Sequence, residues 1–160
     1  MSGLVSIGIS GVEALRAKIK QQIANRTKKV RAALKVAAVM VHGDAVKSVQ
    51  KGPKSGILYG QLRFVKLANF GVAIPAAKLK KLHRASAPGE APATDTGNLV
   101  RNIGISYDIV KEEATIASRA EYSAALEFGT SRILPRPFMR PAFLKNQREI
   151  TALLREASRG

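Results

Sequence analysis

Residues 10–53 read SGVEALRAKIKQQIANRTKKVRAALKVAAVMVHGDAVKSVQKGP, and this stretch decides the fold. Ser10-Gly11-Val12-Glu13 has the S-x-x-E form of a capping box. In such a box Ser10 accepts from the backbone N–H of Glu13 while Glu13 reaches back to the cap. Apolar residues then recur at Val12, Leu15, Ile19, Ile23, Val30, Leu34, Ala37, Val41, Ala45 and Val49. Steps of three and four put them on one helical stripe, interrupted only around Asn25-Arg26-Thr27. Gly52-Pro53 stops the helix, because proline has no N–H to donate and its ring clashes with the preceding turn. A continuous helix over residues 11–51 would be about 60 Å long, too long to be buried on one compact domain. The pattern therefore predicts either a break near Asn25 or an end that projects to meet a partner.

Around this helix the remaining segments are shorter. Residues 4–9 alternate as a short strand. Residues 52–98 read as a loop or arm excursion, with Gly, Pro, Ser and Lys at its edges and little periodicity, mobile in the free chain and ordered on assembly. Within it LRFVKLANFGVAIP suggests a small hairpin turning near Asn69-Phe70-Gly71. Residues 99–109 and 113–119 read as two strands with Lys111-Glu112 between them. Residues 121–128 form a short helix ended by Gly129, and Pro141 suits the first turn of a last helix. Phe143, Gln147, Ile150, Leu154 and Ala157 are expected on that helix's packed face. The sum is one α+β domain over residues 1–160, with a long N-terminal helix on a small, mostly antiparallel sheet, a C-terminal helix and an extended insertion.

Composition narrows the function classes. The chain is 46% hydrophobic but 5% aromatic, with no Trp, so its core is built from Ala, Val, Ile and Leu. Zero Cys excludes a disulfide framework, a thiol nucleophile and a thiolate metal site. No apolar run approaches the roughly 20 residues of a membrane span, so no membrane partner is expected. Net charge is +16, which implies a polyanionic partner or an acidic protein surface. Residues 93–129 reverse the sign, with 3 basic and 6 acidic side chains. Head-to-tail self-association can use such a block, one copy's acidic face meeting the next copy's basic one.

No catalytic set emerges, and neither a cofactor nor a metal site is expected. His42 and His83 are the two histidines, far apart in sequence. GPKSG at 52–56 lacks the order and the preceding strand of a phosphate loop and reads as a helix stop. The carboxylates Asp95, Asp108, Glu112, Glu113, Glu121 and Glu127 have no spacing that pairs two in a cleft. Nucleic-acid modules are missing too: there is no zinc spacing, no aromatic strand motif and no basic region with heptads. Sequence-neutral phosphate contact remains the alternative function, a basic DNA-binding or packaging accessory, with Lys78, Lys80, Lys81 and Arg84 as the candidates to meet an anionic partner.

The segment EYSAALEFGTSRILPRPFMRPAF, residues 121–143, carries two Arg-Pro pairs. Each proline fixes its own φ and biases Arg136 and Arg140 toward extended backbone. The result is a rigid strip with Phe138, Met139 and Phe143 beside guanidinium groups. Arginine and aromatic anchors on preorganised backbone suit an interface; the other reading tucks Phe138 and Phe143 into the core. The interface candidates are Glu127, Phe128, Gly129, Thr130, Arg136, Pro137, Phe138, Arg140 and Pro141, with Glu112, Glu113 and Glu121 as acidic partners.

Tyr122, LEFGT at 126–130 and RPFMRPAF at 136–143 closely resemble the signature of the tail-component family of long-tailed bacteriophages, also called tail-completion or minor head-to-tail joining proteins. HRASAPGEAPATDTGNLVRNI at 83–103 and SGVEALRAKIKQQI at the head of the long helix resemble segments of the same family. The stretch between PKSGILY and HRAS is longer than is usual there. The resemblance implies a non-enzymatic virion protein of the phage neck, at the head-proximal end of the tail and assembled in the host cytoplasm. It implies a homo-oligomeric ring, six copies by that likeness, around the DNA channel. Its neighbours would be a head-completion or stopper protein and a tail-terminator or tail-tube protein, with non-specific DNA contact in the channel.

Overall fold

The computed structural model describes residues 11–59 and 83–159. The chain is α+β. The long helix α1 (Val12–Lys51) carries a two-stranded antiparallel sheet of β3 (Ile103–Asp108) and β4 (Glu113–Ser118) and the C-terminal helix α4 (Met139–Arg159). Two-residue strands β1 (Leu58–Tyr59) and β2 (His83–Arg84) pair antiparallel, while α2 (Asn98–Asn102) and α3 (Ser123–Phe128) are short connecting helices. The expected strand at 4–9, the hairpin near Asn69 and residue Ser10 lie outside the described residues.

α1 runs unbroken through Asn25-Arg26-Thr27, since nothing there lacks an N–H or forces a turn. It opens from Gly11 (φ 93°), whose carbonyl accepts the N–H of Leu15 at 3.0 Å. The capping box depends on Ser10 and so lies outside the described residues; within them, Glu13 pairs with Arg16 at 3.0 Å. Gly52 ends the helix as expected, its N–H returning to Ser48 O at 2.9 Å.

The core lies along the C-terminal half of α1. Val41, Ala45 and Val49 meet Leu99, Ile103, Ala120, Phe138 and Ala142 there. Small residues on both helices, among them Ala38, Ala45, Ala142 and Ala157, let α1 and α4 approach closely. The two helices run antiparallel: Asp44 meets Lys145 and Asn146 at one end, and the Arg26 guanidinium donates to the carbonyl of Ser158 at the other.

Two expectations about local structure are corrected. Residues 99–102 are helical, not the start of a strand. Gly97 (φ 74°) turns the chain, and the Asn102 side-chain amide donates to both the carbonyl and the side-chain oxygen of Asn98, a local bonding that competes with a ladder. The packed face of α4 agrees with the expected one at Ile150, Leu154 and Ala157, which are half-buried or buried. It differs in its first half, where Ala142 and Asn146 are buried while Phe143 stays 49% exposed and Gln147 is exposed. A shift of one residue rotates a helix face by about 100°. Asn146 turns inward despite its polarity because its amide has two acceptors, Asp44 Oδ2 and Ala142 O, both at 2.8 Å.

The edges of the expected excursion are fastened down. Glu90 takes the backbone N–H of Ser55 at 3.0 Å, the Ser55 hydroxyl at 2.5 Å and the N–H of Ala87 at 2.8 Å. Gly56 N–H donates to Ala85 O, and Gly89 N–H to Pro135 O. The bonds from Ser55, and after them the one from Ala87, hold the Glu90 carboxyl below its ordinary value.

Candidate assembly interface

The Arg-Pro segment folds back on α3. Gly129 closes that helix at φ 77°, ψ 176°, its N–H donating to Ala125 O. A Cβ on Gly129 would lie 2.9 Å from Ile133 O and 3.1 Å from Pro135 Cδ. The Thr130 hydroxyl then accepts the N–H groups of Arg132 and Ile133, and Thr130 N–H donates to Ile133 O at 2.8 Å. Arg136 N–H returns to Leu126 O at 2.7 Å.

Glu127 completes the closure. Its carboxylate accepts the N–H of Phe138 (2.9 Å), Met139 (3.0 Å) and Arg140 (2.8 Å), the free donors at the start of α4. A side chain eleven residues upstream of Phe138 thus does what a neighbouring Ser or Asp usually does. Sequence reading placed Glu127 among interface groups; its observed partners are this helix's own amides.

The same closure bears on the two readings of the aromatic residues. Phe138 is 1% exposed and sits in the core, where the core reading put it. Phe143, paired with it in the core reading, lies on the surface, and Phe128 is 79% exposed. Pro137 is half-buried, while Arg140 and Pro141 are exposed. Arg136 is half-buried beside a concavity of about 200 Å³ that Thr94, Asn98, Tyr122 and Leu126 also line. Asn98 donates to the Tyr122 hydroxyl at 3.3 Å, whereas Arg136 Nε and Thr94 Oγ1 are shielded without a partner among the described residues.

A second surface was only partly legible. Residues 11–26 of α1 are exposed throughout, and Leu15, Ile19 and Ile23 are bare although they continue the face that is buried from Ala37 onward. The Arg26–Ser158 bond marks where cover by α4 ends, leaving residues 12–26 as an arm about 22 Å long. Near its base the β3–β4 turn packs on α1. Arg31 pairs with Glu112 at 3.5 Å and donates to Ile109 O at 3.3 Å. Glu112 adopts φ 52° in that turn. Around it runs a groove of about 360 Å³ walled by Leu34, Tyr107 and Ile109, with three acidic side chains, Asp108, Glu112 and Glu113, and two basic ones, Arg31 and Lys35, also lining it. Ile109 and Val110 are bare at 65% and 93% exposure. Their sequence signal was two apolar residues in succession beside a turn.

The other candidates disperse. Glu121 is exposed just before α3. Arg84 is exposed on β2, with Nη1 donating to Gly56 O at 3.4 Å. Lys78, Lys80 and Lys81 lie outside the described residues. His42 Nε2 donates to Ile103 O at 3.2 Å, and His83 lies 3.8 Å from Asp95. The chain matches no protein-family model, no curated protein and no solved structure.

Proposed function

We propose that this chain is a structural, non-enzymatic subunit of a phage neck: a tail-completion protein that assembles into a ring joining head-completion and tail-terminator proteins around the DNA channel. The observation that carries the reading is the bare half of α1. A single copy buries one face of this helix from Ala37 to Val49 and leaves Leu15, Ile19 and Ile23 on that same face in water. Apolar area left exposed in a contiguous stripe marks a contact surface, so the chain reads as a part of an assembly. The resemblance of the 121–143 segment supplies which assembly, and the net charge of +16 suits a position near packaged DNA.

Particles lacking the chain provide the test. Adding the purified full chain is expected to restore head-to-tail joining, seen by negative-stain microscopy and by infectivity, with the chain at the junction. Separate heads and tails after addition would overturn the reading. A chain that stays monomeric and binds duplex DNA with an affinity falling steeply with salt would replace it with the accessory DNA-binding function.

A further inference from the structure

We infer that the helical arm of one copy, residues 12–26, docks in the apolar groove of a second copy, between Leu34 of α1 and the β3–β4 turn. This deepens the assembly reading and rests on it only for the premise that copies meet. Three observations select a second copy as the occupant. The bare stripe of Leu15, Ile19 and Ile23 continues the face that α1 already buries within one copy, so the arm needs the kind of apolar cover that face receives elsewhere. The groove offers such cover in Leu34, Tyr107 and the bare Ile109, and its walls are mainly apolar.

Charge supplies the third observation. Residues 12–26 carry Arg16, Lys18, Lys20 and Arg26 against one acid, Glu13. At 100° per residue Arg16 lies just beside the apolar stripe. The groove lining carries Asp108, Glu112 and Glu113 against Arg31 and Lys35, a net charge of −1; Glu112 is partly engaged by Arg31 and Asp108 by Lys111 at 3.9 Å. Among the described residues no basic side chain is paired with Glu113. A basic, apolar-striped helix meeting an apolar groove of slight negative charge, with Glu113 left for Arg16, gives both the attraction and the register that heterologous contacts use. Exchange in both directions closes a dimer, whereas serial exchange makes a ring or a filament.

Absence of cysteine makes the contact testable by cross-linking. Two single-cysteine variants, Ile19→Cys and Ile109→Cys, are mixed and oxidised, with Ile19→Cys and Ala152→Cys as the control pair. The expected result is an intermolecular disulfide in the first mixture and none above background in the control. In parallel, sedimentation of the full chain should show self-association that weakens about tenfold or more in Ile19→Glu/Ile23→Glu and in Ile109→Glu. Melting should be unchanged in the arm variant, whose altered residues lie outside the folded core. The charge swap Arg16→Glu with Glu113→Arg should restore what either change alone loses.

Equal cross-linking in both mixtures, or association unaffected by the arm and groove substitutions, overturns the inference. So does a monomer whose residue-19 cysteine links within its own chain to a cysteine placed in residues 60–82, since that segment would then be the occupant. Particle joining keeps the two ideas apart. Normal joining by Ile19→Glu/Ile23→Glu would spare the neck reading and sink the arm contact; arm-to-groove links in a chain that never joins heads to tails would do the reverse.

Discussion

Replacing Glu127 by Ala removes the acceptor for three N–H groups at the start of α4, at 2.8–3.0 Å. Loss of a helix N-cap costs about 0.5–2 kcal/mol, and the negative charge at the positive end of the helix dipole adds about 0.3–1 kcal/mol. The Phe138 and Met139 amides are part-buried, so water reaches them poorly once the carboxylate is gone, and each unsatisfied buried donor costs about 1–3 kcal/mol. The Arg140 amide is exposed and can turn to solvent. Partial hydration keeps the total below the sum, at about 2–4 kcal/mol, or roughly 5–15 °C in Tm for a domain of this size. Glu127→Gln keeps one acceptor oxygen and loses the charge, so it is expected to melt only about 2–4 °C lower. Calorimetry reads both, and amide hydrogen exchange adds a local check: the Phe138 and Met139 amides should be protected in the natural chain and exchange faster in the Ala variant. A Glu127→Ala protein melting within about 2 °C of the natural one, with those amides still protected, would refute the cap.

Three further outcomes are expected. Phe138→Ala, at a fully buried site, should cost about 3–5 kcal/mol by chemical denaturation and melt the subunit before any joining defect is measured; a well-folded variant that only fails to join would return Phe138 to the interface. Gly129→Ala should destabilise by about 1–3 kcal/mol, because φ 77° with ψ 176° is a backbone region essentially reserved for glycine and the new methyl would meet Ile133 O. For Asp44, the Asn146 amide first and the Lys145 ammonium next hold the carboxyl below its ordinary value. Its folded pKa is therefore the lower one, and its contribution is complete above the unfolded value near pH 4 and lost as pH falls through the folded value. Asp44→Asn should be less stable at pH 7 yet lose stability less steeply from about pH 5 to 2; parallel acid limbs in a Tm series would contradict this.

Much of the backbone could be read from the sequence because its signals are local. The apolar stripe from Leu34 to Val49 and the Gly52-Pro53 stop marked α1, alternation around Ile103 and Ile105 marked β3, and Gly129 and Pro141 bracketed the elbow. What escaped depends on partners distant in sequence. Glu127 carries no mark of a cap because the amides it serves are eleven to thirteen residues away. Asn146 is an inward residue through Asp44, 102 positions earlier, whereas Phe143, expected on the packed face, stays exposed. Periodicity also could not separate the half of α1 that is covered from the half that is not, since Leu15 and Val41 lie on the same stripe. Only the length of α4, ending beside Arg26, draws that line.

The elbow's inward residues and the exposed surfaces do different work. In LEFGT and RPFMRPAF the residues with an assigned structural part work within the subunit: Glu127 caps α4, Gly129 takes a conformation open to glycine, Thr130 ties a turn, and Phe138 fills the core. A motif built this way transmits a fold, because each of its parts answers a constraint inside one chain. In the proposed neck assembly the joining contact falls to side chains that the single copy leaves unused. Those are the stripe on the α1 arm, the bare tip of the β3–β4 turn, and Arg140 with Phe128 and Phe143 on the outside of the elbow. Substitutions in the first group should therefore lower the melting temperature, and joining only as a consequence. Substitutions in the second should leave melting nearly unchanged and act on assembly directly, since exposed side chains contribute within about 0.5 kcal/mol to a monomer's stability.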